Sequence, residues 1–132
     1  MKLLHAISAL PVTNQERSTS FYRDKLGFVV AYQNEGFTKL QRDAVELHLW
    51  VADDERWRTR DGGDPVVSGA ESFIAGRHSC RIGMEGVSEL YRVVQPLGIV
   101  HGNASLEETD FATREFGVSD PDCNLITFFE RL

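Results

Sequence analysis

Two segments of this chain repeat each other. SFYRDKLGF (residues 20–28) and ELYRVVQPLGI (residues 89–99) both carry a Phe-Tyr or Leu-Tyr pair, an arginine and a Leu-Gly step, and they lie about 70 residues apart in a chain of 132. Repetition at about half the chain length marks a duplicated structural unit. Each copy follows one strand-like run and precedes others, so the unit reads as a βαβββ module. The expected fold is α+β, with two tandem βαβββ modules forming curved mixed sheets. The first module spans 1–54, a connection spans 55–76, and the second module spans 77–132. Sheets bent in this way cup a surface lined by alternate residues of each strand.

The local signals fit that plan. LHAISALPV is apolar and small, as a buried strand requires. Thr13 and Glu16 have capping-box spacing, and Gly27 follows the last apolar position, so a helix is expected from Asn14 to Leu26. FVVAYQNE and GFTKLQR flank a turn near Asn34–Gly36. VELHLWV alternates with period two, which points Val45, Leu47 and Leu49 one way and Glu46, His48 and Trp50 the other. A tryptophan on the second face marks it as more than a solvent face. In the second half, HSCRIGM is strand-like. EGVSELYRVVQPLGI puts Val87, Leu90, Tyr91 and Val94 on one helical face and is stopped at Pro96. VHGNASLEET, REFGVSD and NLITFFE complete the repeat. The central connection has no periodicity, yet it holds Trp57 and Phe73, which a pure linker does not need.

Composition narrows the function. The chain is 42% hydrophobic and 26% charged, with net charge -6. That balance argues against a general nucleic-acid binder, which needs a basic face. No apolar run approaches the ~20 residues of a membrane span. Cys80 and Cys123 lack metal or redox spacing and read as free thiols of a cytoplasmic protein. No GxSxG, Walker or GxGxxG motif is present.

PVTNQERSTSFYRDKLGF, VSELYRVVQPLGI and above all REFGVSDPDCNLITFFE resemble the vicinal-oxygen-chelate superfamily of glyoxalases, extradiol dioxygenases, fosfomycin-resistance enzymes and bleomycin-resistance proteins. Cys123 replaces the usual glycine of the Asp-Pro-Asp-x-Asn turn. Enzymes of the superfamily carry metal ligands on equivalent strands of the two modules. The matching positions here are Ile7, His48, Ser79 and Thr127, of which only His48 ligates a divalent metal well. A catalytic site needs about three protein ligands and an open position. The remaining route to a Zn, Fe or Mn site is a shifted set of His5, His48 and Glu130.

The pattern is most similar to the bleomycin-resistance branch, whose members are dimers that sequester a large cationic, aromatic antibiotic between subunits without metal chemistry. The resemblance implies antibiotic resistance by ligand binding, no cofactor, and a homodimer with swapped or paired modules. Tyr32 and Phe37 match positions where aromatics contact drug. His48 and Trp50 share their strand face, Trp57, Phe73 and Phe111 lie on loops bordering a groove, and Asp53, Asp54 and Glu35 offer negative charge. The partners expected are a small-molecule ligand and a second copy, with no nucleic acid and no membrane. Two alternatives stand beside this: a metal-dependent lyase, isomerase, dioxygenase or thiol transferase of the superfamily, and a ligand sensor or purely structural dimer.

Overall fold

The computed structural model describes residues 1–52, 70, 78–102 and 105–132. The chain order is β1 (Ser8–Val12), α1 (Gln15–Leu26), β2 (Val29–Asn34), β3 (Phe37–Arg42), β4 (Val45–Val51), β5 (Ser79–Gly83), α2 (Val87–Val94), a 3-10 turn (Gln95–Leu97), β6 (Glu107–Thr109), β7 (Thr113–Ser119) and β8 (Leu125–Arg131). The strands form two four-stranded sheets, ordered β1-β4-β3-β2 and β5-β8-β7-β6. The two orders are the same permutation, so the repeat seen in the sequence is a repeat of topology. In each sheet the first strand pairs parallel with the last, and the remaining pairs are antiparallel.

One face of each sheet is covered by its helix. Leu10, Val12, Leu40, Leu47 and Leu49 are buried with Phe21, Tyr22 and Leu26 of α1. In the second module, Ile82, Phe116, Val118, Ile126 and Phe128 are buried with Val87, Leu90 and Val94 of α2. Burying each such side chain stabilises the fold by about 1.5–3 kcal/mol before the ordering entropy is subtracted. The two sets form one continuous core.

The helix ends refine the expectation. Asn14, not Thr13, is the N-cap: its Oδ1 accepts from the Arg17 N–H at 2.9 Å. Thr13 instead donates through its N–H and its hydroxyl to Asp122, 109 residues later, at 3.1 and 2.5 Å. A carboxylate from the distant turn outcompetes the local capping box because it accepts both donors at once. Gly27 closes α1 with φ of 70°, as its position suggested. Helix α2 ends at Val94, and Pro96 sits inside the 3-10 turn that follows it. Among the described residues of the stretch VHGNASLEET, only Glu107–Thr109 forms a strand.

The SDPDCN turn joins the modules. Asp120 is 4% exposed and accepts from the Tyr22 hydroxyl at 2.9 Å, the Asp122 and Asn124 N–H groups and the Asn124 amide. Asn124, fully buried, also donates to the Pro11 carbonyl at 2.8 Å. Cys123 adopts φ of 63°, the left-handed conformation that favours the glycine it replaces.

Candidate functional site

The face of the first sheet opposite α1 carries the expected alternation. Register places Phe37 opposite Trp50, Lys39 opposite His48 and Gln41 opposite Glu46, and the bulged edge strand β2 brings Tyr32 opposite Lys39. On the other side of β4, Ala9 and Pro11 lie opposite His48 and Trp50. The small and cyclic side chains of β1 leave the aromatic groups of β3 and β4 standing above the sheet.

Phe37 is the hub of that face. Its ring centroid lies 4.7 Å from Trp50, 5.0 Å from His48 in an edge-to-face arrangement and 6.1 Å from Tyr32. Such contacts favour rigid rings over mobile ones. The Trp50 Nε1–H is buried and meets no hydrogen-bond partner among the described residues. Beside the rings, His48 Nε2 lies 2.7 Å from Glu46 Oε1, and Lys39 Nζ lies 3.6 Å from Glu46 Oε2. The His48 hydrogen bond, and secondarily the Lys39 charge, hold the Glu46 carboxyl below the usual carboxylate range despite partial desolvation.

The corresponding face of the second sheet is more polar. Arg81 makes a bidentate pair with Glu115 at 3.2 and 2.5 Å, its guanidinium lies 4.8 Å from the Phe129 ring centroid, and Thr113 donates to the same carboxylate. The Arg81 hydrogen bonds hold Glu115 below the ordinary carboxylate range. Thr127 sits between Arg81 and Gly117 on this face. His101 Nδ1 and the Ser119 hydroxyl meet at 2.7 Å nearby in the register.

Tyr32, Phe37, His48 and Trp50 are therefore brought together. Phe111 is not: it is 85% exposed beside the left-handed Ala112, and no described ring meets it. Trp57, Phe73, Asp53 and Asp54 lie outside the described residues, and Glu35 lies in the β2–β3 turn. The shifted metal set is not assembled. His5 precedes β1, whereas Glu130 turns to the helix side of the second sheet and accepts from the Gly86 N–H at 3.0 Å. Among the described residues no group of three His, Cys, Asp or Glu side chains could hold a metal ion. Burial pushes the Cys80 thiol up, away from the thiolate a nucleophile needs. The sequence reading missed Glu46 as a site group. Its i, i+2 spacing from His48 on one strand face was the available signal.

The chain matches no protein-family model. It is 50% identical over 130 residues to the bleomycin resistance protein of Geobacillus stearothermophilus, covering 98% of both chains. The chain belongs to the bleomycin resistance protein family. Solved structures agree in fold. The bleomycin resistance determinant encoded on the transposon Tn5 superimposes with a TM-score of 0.72 at 20% identity, covering 98% of each chain. The bleomycin-binding protein of Streptomyces verticillus, complexed with copper(II)-bleomycin, gives 0.73 at 21% identity over 97% of this chain and 96% of that one.

Proposed function

We propose that this chain binds and sequesters bleomycin or a closely similar aromatic, cationic antibiotic, and releases it unmodified. The observation that carries the reading is the Phe37 hub, with Trp50, His48 and Tyr32 assembled on one sheet face of a chain that is 50% identical to a bleomycin resistance protein. Flat rings offer stacking surface to an aromatic ligand. Ile7, Ser79 and Thr127 supply no strong metal ligand, and His48 Nε2 is engaged by Glu46, so the protein works without a metal of its own.

The working unit is a homodimer in which the aromatic face of one copy and the polar face of the other wall a groove. Exposed apolar groups support this: Leu3 at 99%, Leu4 at 79% and the whole outer edge strand β2 are open. We place the protein in the cytoplasm, on the strength of its two free cysteines, one of them exposed. No described helix is long and apolar enough to cross a membrane.

Incubation of bleomycin with purified protein, followed by denaturation and mass spectrometry, tests the reading. Binding followed by recovery of the drug at unchanged mass supports it. A modified drug, or stoichiometric metal whose removal abolishes binding, overturns it.

A further inference from the structure

We propose that Glu46 is the residue that selects a cationic group on the ligand, with Lys39 as the internal cation that the ligand displaces. This rests on the binding reading above and assigns the charge selectivity of that same face.

Glu46 stands where two surfaces meet. On one side its Oε1 reaches His48, whose ring lies against Phe37 in the aromatic cluster. On the other side it lines a cleft of about 530 Å³ at the seam of the two sheets, with Ile7, Gln41, Arg81 and Gly83 among the walls. A cleft of this size takes a ligand side arm. Among the described residues, Glu46 is the sole acidic one lining it. Trp50 and Glu46 are four residues apart on one strand face, so a ligand that stacks at Phe37–Trp50 meets the carboxylate about 13 Å further along.

The charges around Glu46 leave it available. Lys39 Nζ lies at 3.6 Å, beyond good hydrogen-bond distance, and its side chain is 38% exposed, free to swing into water. His48 holds the carboxylate in place through one hydrogen bond at 2.7 Å. Arg81, across the cleft, is already matched by Glu115. His5, the remaining titratable group of the cleft, is exposed at its edge. Glu115 contrasts with Glu46: two guanidinium bonds and the Thr113 hydroxyl occupy three of its roughly four acceptor sites, and Arg81 already matches its charge. Of Glu115 and Glu46, the first is thus structural and the second is open to exchange.

The test compares two probes: metal-free bleomycin, and bleomycin whose cationic terminal group has been hydrolysed to a carboxylate. Affinities are measured by tryptophan fluorescence for the unsubstituted protein, Glu46→Gln and Lys39→Gln. The charge assignment expects Glu46→Gln to lose about 5–10-fold in affinity for the cationic probe and little for the hydrolysed one. It expects Lys39→Gln to gain affinity for the cationic probe, because a competitor is removed. A purely structural Glu46–Lys39 pair predicts that both substitutions weaken both probes alike, and that result overturns the assignment while leaving the binding reading intact. Absence of binding by the unsubstituted protein overturns both.

Discussion

The Tyr22 hydroxyl donates to Asp120 at 2.9 Å in the sealed interior, tying the first helix to the turn that opens the last strand across 98 residues of sequence. Tyr22 is fully buried and Asp120 nearly so, which makes this bond a joint between the two modules. Tyr22→Phe is expected to lower unfolding free energy by about 1–2 kcal/mol, since Asp120 keeps three other donors. Asp120→Ala strands the donors of Tyr22 and Asn124 together and is expected to cost about 3 kcal/mol. Urea unfolding monitored by circular dichroism measures both.

The same joint makes stability fall in alkali. Burial, with the Asp120 charge and hydrogen bond as lesser causes, pushes the Tyr22 hydroxyl well above its ordinary value. The unfolded chain loses this proton near pH ~10, whereas the folded chain retains it. Above that pH the unfolded state binds fewer protons, so stability declines as pH rises. Urea unfolding between pH 9 and 11 (a range set around that value) is expected to show the decline, and Tyr22→Phe is expected to flatten it.

Cys123 holds a left-handed backbone, φ 63°, in a turn where a glycine carries no side-chain penalty. Left-handed placement of a side chain costs about 1–2 kcal/mol, and a glycine there loses about 0.5–1 kcal/mol of extra chain entropy on folding. Cys123→Gly is therefore expected to stabilise the protein by about 0.5 kcal/mol. A lower denaturation midpoint for the variant would show that the exposed thiol side chain makes contacts that outweigh the strain.

Much of this arrangement was legible in the sequence, for physical reasons. The period-two pattern of VELHLWV fixed which β4 side chains face α1, because a one-residue slip would have buried Glu46 and exposed Leu47 and Leu49. Gly27 and the Asp-Pro-Asp-Cys-Asn turn announced a helix end and a tight reversal through backbone chemistry alone. What stayed hidden depends on partners far along the chain. Thr13 and Glu16 have capping-box spacing, yet Asp122 takes Thr13 and leaves Asn14 as the cap. Glu130 looked available to a metal until the fold set it on the Gly86 N–H. The pairing of Arg81 with Glu115 joins strands 34 residues apart that no local pattern connects.

The aromatic hub makes a graded prediction for binding. Phe37 touches three of the other rings, so Phe37→Ala removes stacking surface and loosens Trp50, His48 and Tyr32 together. It is expected to weaken bleomycin binding by about 30-fold or more, as central aromatic anchors do. Tyr32→Ala, at the 54% exposed edge, is expected to cost no more than about 5-fold. Equal losses at the two positions would show that Phe37 is not the centre of the site. Isothermal titration calorimetry separates the two cases.

Sequestration on the face built around Phe37 and Trp50 is tested most directly by titrating metal-free bleomycin into the purified protein while following tryptophan fluorescence, with Trp50→Phe as the paired variant. The expected result is saturable quenching at about micromolar concentration or below, with most of the signal and about ten-fold of the affinity lost in the variant. Quenching that does not saturate, or saturable binding that Trp50→Phe leaves unchanged, would contradict it.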